Sequence, residues 1–532
     1  MKKITTLFLL LATAVGLYAQ TADDALSLTE ERYEGTARSM AMGNAFTALG
    51  GDLGGLGINP AASGVFRYSQ FTFTPSFTGT FASAGYLGNS QNTRNVGLTV
   101  SNAGAVISFD TGNYTGLLNY NFGFVYNKKN SFRSKMAVSG STDKSSMLGA
   151  YASRLNLFNA DKGWSHDISQ DALDFPSAYS TYSEFFWPDI LAWRAYALAP
   201  YYTDSEETNY IYIGSTENEE GGRIYTGGLL NQYFNRRTYG SVEEFSFNFG
   251  GNFNDILYFG ANINVETLSR TVEEYYEEKA RNHSDFQDGF VSMDNSYWLR
   301  TSGAGANIKL GVIVTPVAGL RLGATVTTPT WYSLTDRWDY TMNTEFYSTE
   351  DQKYKSYTEQ TPTGSYSYKM KSPMRWSVGV AYAFWDRAIV SVDYERVDYS
   401  KIRYNTERGN EGDFVEVNRE IRDSFLASNI VRAGAEVRVS RLISLRGGYQ
   451  YYSPSSLYGA STRVYSAGIG FNIGERAAID LAWNRTSNHI DEFQLYGDYL
   501  AYDNDDAWVV VAPTGTNRHR MSHVACTFSF KF

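Results

Sequence analysis

Apolar and polar residues alternate with period two along most of the chain. In the run from Phe71 to Phe81, the Phe residues take one face and hydroxyl residues most of the other. Leu257, Phe259, Ala261, Ile263 and Val265 alternate with Tyr258, Gly260, Asn262 and Asn264. Tyr465, Ala467, Ile469, Phe471 and Ile473 alternate with Ser466, Gly468, Gly470 and Asn472. Side chains of a strand point to opposite faces in turn, so each run predicts a strand with one apolar and one polar face. The pattern predicts strands near 68–81, 94–109, 118–130, 241–251, 256–267, 301–314, 320–331, 374–385, 388–398, 429–439, 442–452, 463–473, 477–487 and 521–532.

A soluble sandwich alternates in the same way, so connection lengths carry the distinction. Short connections (110–117, 252–255, 315–319, 386–387, 440–441, 474–476) alternate with long ones (82–93, 131–240, 268–300, 332–373, 399–428, 453–462, 488–520). Tight turns therefore gather at one end of the sheet and large loops at the other. A sandwich has no reason to sort its loops by parity, whereas outer-membrane barrels join short periplasmic turns to long extracellular loops. The expected fold is all-β: a fourteen-stranded antiparallel transmembrane β-barrel over 68–532. On the last strand Val524, Cys526, Phe528, Phe530 and Phe532 share a face. An apolar strand ending in Phe resembles the terminal signal of such barrels, which implies the barrel assembly machinery as a partner through Phe532. Trp331, Tyr332, Trp376, Trp385, Tyr451, Tyr452 and Trp483 lie near strand ends and suit interfacial girdles.

Composition narrows the class further. The 19% of charged residues is low and the 16% of aromatics high for a chain of 532 residues, and the net charge of −10 argues against a nucleic-acid binder. A single Cys excludes a disulfide framework, a multi-thiolate zinc site and a Cys-held iron–sulfur cluster. Residues 1–19 read as a signal peptide, with Lys2 and Lys3 ahead of an apolar core and Ala19 before the expected cut. No Cys lies near the cut, so no lipoprotein anchor is expected. No later apolar run reaches the ~18–20 residues of a spanning helix. The expected location is the outer membrane of a Gram-negative cell, with the lipid bilayer as a partner.

Residues 20–67 lack the alternation. They contain GTARSMAMGNAFTA, then a Gly-rich stretch from Gly50 to Gly57, then Asn59-Pro60-Ala61-Ala62. The first part has helical character, which the Gly run and Pro60 end. No strand precedes the glycines and no Lys-Ser/Thr follows, so they form no phosphate loop. A compact segment before a barrel predicts a hatch that plugs the lumen.

This segment resembles the N-terminal hatch of the outer-membrane long-chain fatty acid transporter family of the FadL/TodX type. Arg38, Met42, Gly43, Ala45, Phe46 and Ala48 match its first motif, and Asn59, Pro60 and Ala61 its Asn-Pro-Ala motif. GATVTTPTW (323–331), SVGVAY (377–382) and VRAGAEVRVSRLISLRGGY (431–449) are similar to its barrel pieces. The chain departs from the family after Asp52, where Leu-Gly-Gly follows, and in the long 131–240 insertion. The resemblance implies passive uptake of long-chain fatty acids or similar hydrophobic molecules, gated by Arg38, Asn59, Pro60 and Ala61. The other readings are a haemin or aromatic-hydrocarbon uptake barrel, a PorV-like protein-binding barrel of type IX secretion, and a barrel lipase.

Chemistry-bearing residues give little. His166, His283, His489, His519 and His523 show no metal spacing, and no G-x-S-x-G elbow occurs. His523 is the one lipase candidate, outweighed by a polar strand-end role. Acidic runs at Glu217, Glu219, Glu220 and at Asp503, Asp505, Asp506 read as solvated loop tips rather than Ca²⁺ sites. The expectation is a non-enzyme without metal or cofactor. Alternation turns Asp393, Glu395, Arg432, Glu436, Arg438, Arg446 and Asp480 into the lumen, because a charge facing lipid costs ~2–4 kcal/mol for Arg or Lys near the midplane. One of the inward carboxylates is expected to hold Arg38. In the long loop, Pro188 and Asp189 start a helix. Its neighbours Phe185, Phe186, Trp187, Leu191, Trp193 and Arg194 either pack within the loop or form a greasy capture surface. The resemblance favours capture.

Overall fold

The structure is a computed structural model and describes residues 20–160, 168–203, 205–206, 209–385, 387–474, 476–503 and 506–532. The signal segment, His166 and Asp505 lie outside the described residues. Fourteen strands form the barrel: β1 Gln70–Tyr86, β2 Asn89–Asp110, β3 Leu117–Ser131, β4 Leu230–Phe253, β5 Leu257–Ala280, β6 Phe290–Val317, β7 Leu320–Thr327, β8 Arg375–Phe384, β9 Ala388–Asp398, β10 Ala427–Arg438, β11 Ile443–Tyr452, β12 Thr462–Ile473, β13 Ala477–Thr486 and β14 Thr514–Lys531. Each is antiparallel to the next, and β1 pairs with β14 from Gln70↔Lys531 to Gly85↔Thr516, which closes the wall. Closure leaves no edge whose backbone would face lipid unpaired.

All fourteen strands fall where the alternation places them, but several run further at the long-loop end. The connection 82–93 shrinks to a turn at Leu87-Gly88 between β1 and β2. β5 has 24 residues and β6 has 28, against the ~9–11 that cross a bilayer. The stretch 332–373 is mostly strand too, and Trp331–Ser348 pairs with the outer half of β6. Outside the membrane neither face needs to be apolar, so these extensions carry no apolar alternation and read as loops.

The outward face is apolar: Phe77, Leu98, Phe122, Ile263 and Leu310 are exposed, as are Val524, Phe528, Phe530 and Phe532. The inward face is polar and buried, with Thr72, Thr74, Ser76, Asn102, Asn121 and Asn248. That inversion of an ordinary core is what a lipid solvent selects. Trp331, Trp376, Trp385 and Trp483 face outward as girdle residues. Tyr332 does not: it neighbours Trp331 and so points inward, where its hydroxyl donates to Glu266. Tyr452 likewise faces inward and bonds Gln450. Arg438 stands exposed at the turn end of β10. Among the described residues no helix is long and apolar enough to cross a membrane.

At the long-loop end, helices α4 (Met147–Ala160) and α5 (Trp187–Arg194) build a cap whose core includes Leu148, Leu155, Ile190 and Leu191. A further helix, α6 (Val415–Ser424), packs against the first helix of the N-terminal segment.

Candidate functional site

The N-terminal segment folds inside the barrel as α1 (Ala22–Thr29), α2 (Ala37–Ala41), α3 (Leu53–Ile58) and a 3-10 helix at Pro60–Val65. Thr21 and Asp24 form a capping box on α1. The Gly run does not merely end a helix. Asp52 caps it, accepting from the amides of Gly54 (2.9 Å) and Gly55 (3.3 Å), and α3 forms across Leu53-Gly-Gly-Leu-Gly-Ile. Glycine is required by space there: a Cβ at Gly57 would lie 2.2 Å from the Tyr33 hydroxyl. Asn59 ends α3 and starts the 3-10 turn, its Oδ1 accepting from Ala61 N at 3.0 Å, with Pro60 at the first helical position.

The wall receives this plug in hollows made by inward-facing glycines. A Cβ at Gly311 would sit 1.8 Å from Asn59 Oδ1, at Gly323 2.0 Å from Thr47 O, and at Gly434 2.2 Å from Met42 O. At Gly260 it would meet the Pro60 carbonyl carbon at 2.4 Å, and at Gly448 the Gly43 amide at 2.1 Å. These five lie on β5, β6, β7, β10 and β11. The sequence alone does not single them out; its one signal is that Gly260 stands on the polar face of its strand. Inward asparagines close the remaining hydrogen bonds of the plug. Asn248 donates to Pro60 O (3.1 Å), Asn262 to Leu56 O (2.9 Å), and Asn59 itself to Thr47 O (2.6 Å). Buried carbonyls demand such partners.

Charge is arranged in closed networks. Arg38 donates to Glu436 at 2.9 Å; Glu436 also binds Arg446 (2.6 Å), and Arg446 binds Asp480 (2.5 Å). Two cations thus meet two carboxylates. A second network links Arg432 to Glu395 (2.7 Å), Glu395 to Arg375 (3.1 Å), Arg375 to Glu31 (3.0 Å) and Glu31 to Lys129 (2.6 Å). Lys129 then pairs with Glu266 (2.7 Å) and Glu244 (3.6 Å), and Glu244 with Lys309 (3.8 Å). Four cations balance four carboxylates. Buried charges need such pairing, since a lost partner typically costs ~3–5 kcal/mol. The inward residues divide their work. Glu436 holds Arg38, whereas Glu395 reaches the plug only through Arg375. Asp393 is in no ion pair among the described residues and accepts from the amide of Thr47 at 2.8 Å.

The loop residues are packed rather than presented to solvent. Phe186, Trp187 and Leu191 are buried, and Phe185 and Trp193 lie against the cap core. Trp187 stacks near Trp338 of the barrel extension, with ring centroids 5.8 Å apart, and donates to Tyr179 O. Trp193 donates to Asp174, and Arg194 to Leu173 O and Phe175 O. The helix that Pro188 and Asp189 start ends at Arg194. In the cap, burial pushes the Asp189 carboxyl up to about 6 against the opposing pull of Arg154, and the Glu217 carboxyl up to about 7. Glu217 is therefore not a solvated loop tip; it accepts from Gly214 N inside the cap.

His523 faces inward and bonds Thr78 at 3.0 Å. His489 and His519 stack on each other, and His283 lies tilted against Tyr347 with ring centroids 4.5 Å apart. Among the described residues no group of three or more His, Cys, Asp or Glu could hold a metal ion.

A closed barrel with an apolar outer belt, a polar lumen and a folded plug is a multi-pass transmembrane β-barrel of the outer-membrane type. No protein-family model matches the chain, and no curated protein matches it in sequence. Among solved structures it is similar to the toluene transporter TodX of Pseudomonas putida, at 13% identity over 95% of this chain and 99% of that one, with a TM-score of 0.50. A FadL homologue of Pseudomonas aeruginosa matches at 11% identity over 94% and 99%, with a TM-score of 0.49. The chain has the FadL/TodX-type fold to which its N-terminal motifs point.

Proposed function

We propose that the protein is a passive outer-membrane channel for hydrophobic small molecules, long-chain fatty acids above all, with the N-terminal segment as its gate. The observation that carries this reading is the plugged lumen. Met40, Met42, Phe46, Leu53, Leu56 and Asn59 are all buried between the strands. An open pore for polar solutes is not built this way. The cap above the lumen has an apolar, aromatic-rich core, the chemistry that a greasy ligand would share. A ligand would enter by loosening that packing, with Trp187, Trp193 and Phe186 as its first contacts. It would pass when Asn59-Pro60-Ala61 leaves the hollow at Gly311. The fold shared with a toluene transporter supports this reading over a protein-binding barrel.

The test is mass spectrometry of molecules extracted from the purified barrel, joined to uptake of a labelled long-chain fatty acid by cells that express it. Recovery of fatty acid, with uptake above a vector control, is expected. A bound protein and no lipid would replace this reading with the protein-binding one, and haem absorbance with the haemin one.

A further inference from the structure

On four of five neighbouring strands the outward residue pattern ends in arginine. Moving from the turn end toward the cap, β2 presents Leu98, Val96 and then Arg94. β14 presents Val524, Ser522, Arg520 and Arg518; β13 presents Leu481, Trp483 and then Arg485; β12 presents Tyr465 and then Arg463. β1 lies between β2 and β14 and contributes Phe81, paired with Arg94 on one side and Arg520 on the other. Both guanidinium carbons stand 5.5 Å from the Phe81 ring centroid. The strands run β2–β1–β14–β13–β12 around the wall, so the arginines form one patch across the seam where the barrel closes. Arg94, Arg463, Arg485 and Arg518 are exposed and Arg520 is half-buried.

Two things set this patch apart from ordinary surface charge. Among the described residues none of the five arginines is in an ion pair, whereas the lumenal Arg38, Arg270, Arg375, Arg432 and Arg446 each are. The neighbouring wall also differs in sign, because two strands beyond β2 the residue that follows Phe249, Phe247 and Phe245 on β4 is Glu243. Like charges gathered over one ring and left unneutralised repel each other, so the patch is complementary to an anion. Its place fixes the kind of anion. Each arginine follows the last lipid-facing residues of its strand on the cap side, at the boundary between acyl chains and headgroups of the outer leaflet. Guanidinium forks fit phosphate bidentately, and the apolar rows beneath fit acyl chains.

We propose that the patch made by Arg94, Arg520, Arg518, Arg485 and Arg463 around Phe81 is a docking site for a phosphate-bearing lipid of the outer leaflet. The lipid's phosphates sit between Arg94 and Arg520, and its chains lie along Leu98, Phe77, Val524 and Trp483. This site is on the outside of the wall and does not depend on what the lumen carries.

The full-length barrel in phosphatidylcholine nanodiscs, doped with diphosphoryl lipid A, would be examined by native mass spectrometry. The wild type is expected to retain lipid A over phosphatidylcholine, less so at high salt. The variant Arg94→Gln, Arg520→Gln should lose roughly thirtyfold of that preference, given the usual strength of each of two basic residues at an anionic surface. Arg485→Gln with Arg463→Gln is the second variant should the first not fold, and Arg441→Gln at the turn end is the control. Equal retention by wild type and either folded double variant would overturn the proposal. So would equal displacement by inorganic phosphate, which would show an adventitious anion site rather than a lipid one.

Discussion

Gly311→Ala should unseat the plug without weakening the barrel. The added Cβ would stand 1.8 Å from Asn59 Oδ1. Ordinary contact begins at 3.4 Å, so Asn59 must retreat by about 1.6 Å. Neither neighbour yields easily: β6 is hydrogen-bonded on both sides, and Asn59 is fixed by Thr47 O and Ala61 N. Overpacking of this kind costs ~1–3 kcal/mol, and two displaced hydrogen bonds add ~1 kcal/mol each. The seated state is then disfavoured by about 3–5 kcal/mol, or roughly two to four powers of ten in population. The strand itself loses nothing, since alanine is no worse than glycine in a ladder. Single-channel conductance in planar bilayers and cell sensitivity to a bulky polar antibiotic would both read the opening, with heat-modifiable gel mobility as the folding control. Gly447→Ala is the matched negative, because a Cβ there meets nothing within 4 Å. A folded Gly311→Ala barrel with wild-type conductance and resistance would show that the plug does not depend on this hollow, and the seating argument would be wrong.

Three further outcomes follow from the same geometry. Arg38→Ala leaves the Glu436–Arg446–Asp480 group one positive charge short, so the folded barrel should leak; adding Glu436→Gln should restore part of the seal, and additive leakage in a double-mutant cycle would refute the coupling. Glu217 titrates near 7 in the folded cap against an ordinary 4.5, so the folded cap holds a proton that the unfolded one releases. Its stability is greatest below that lower value and falls as pH rises toward the folded one. Amide exchange in α5 should accordingly slow on acidification from neutral pH, Asp189 should act in the same sense, and Glu217→Gln should flatten the slope. Protease on intact cells should cut within 399–428, while tags in the turns at 252–255 and 474–476 stay protected; labelling of either turn from outside would invert the topology.

The strands were legible because lipid imposes the simplest sequence rule a protein obeys. Every second residue over a bilayer's depth must be apolar, and Phe71, Phe73 and Phe77 or Val431 and Val437 show it without any knowledge of partners. Loop parity then decided closure, and inward charges followed from alternation alone. Beyond the membrane that rule lapses, which is why β5 and β6 run through stretches that read as loops, and why Tyr332 reads as a girdle residue yet points inward. The plug lay at the limit of local reading. Asp52 and Asn59 are recognisable caps, but α3 is rich in glycine and forms because the barrel encloses it. Only the tertiary structure could choose Glu436 as the partner of Arg38, because Asp393, Glu395, Glu436 and Asp480 all alternate onto the inward face and sequence separation says nothing about height in the lumen. It likewise turned Gly311, Gly323 and Gly434 from pauses in a strand into a seat, and it buried Phe186 and Trp187 in a cap core. Whether a glycine leaves a gap or admits a neighbour depends on the neighbour, and here that neighbour lies hundreds of residues away.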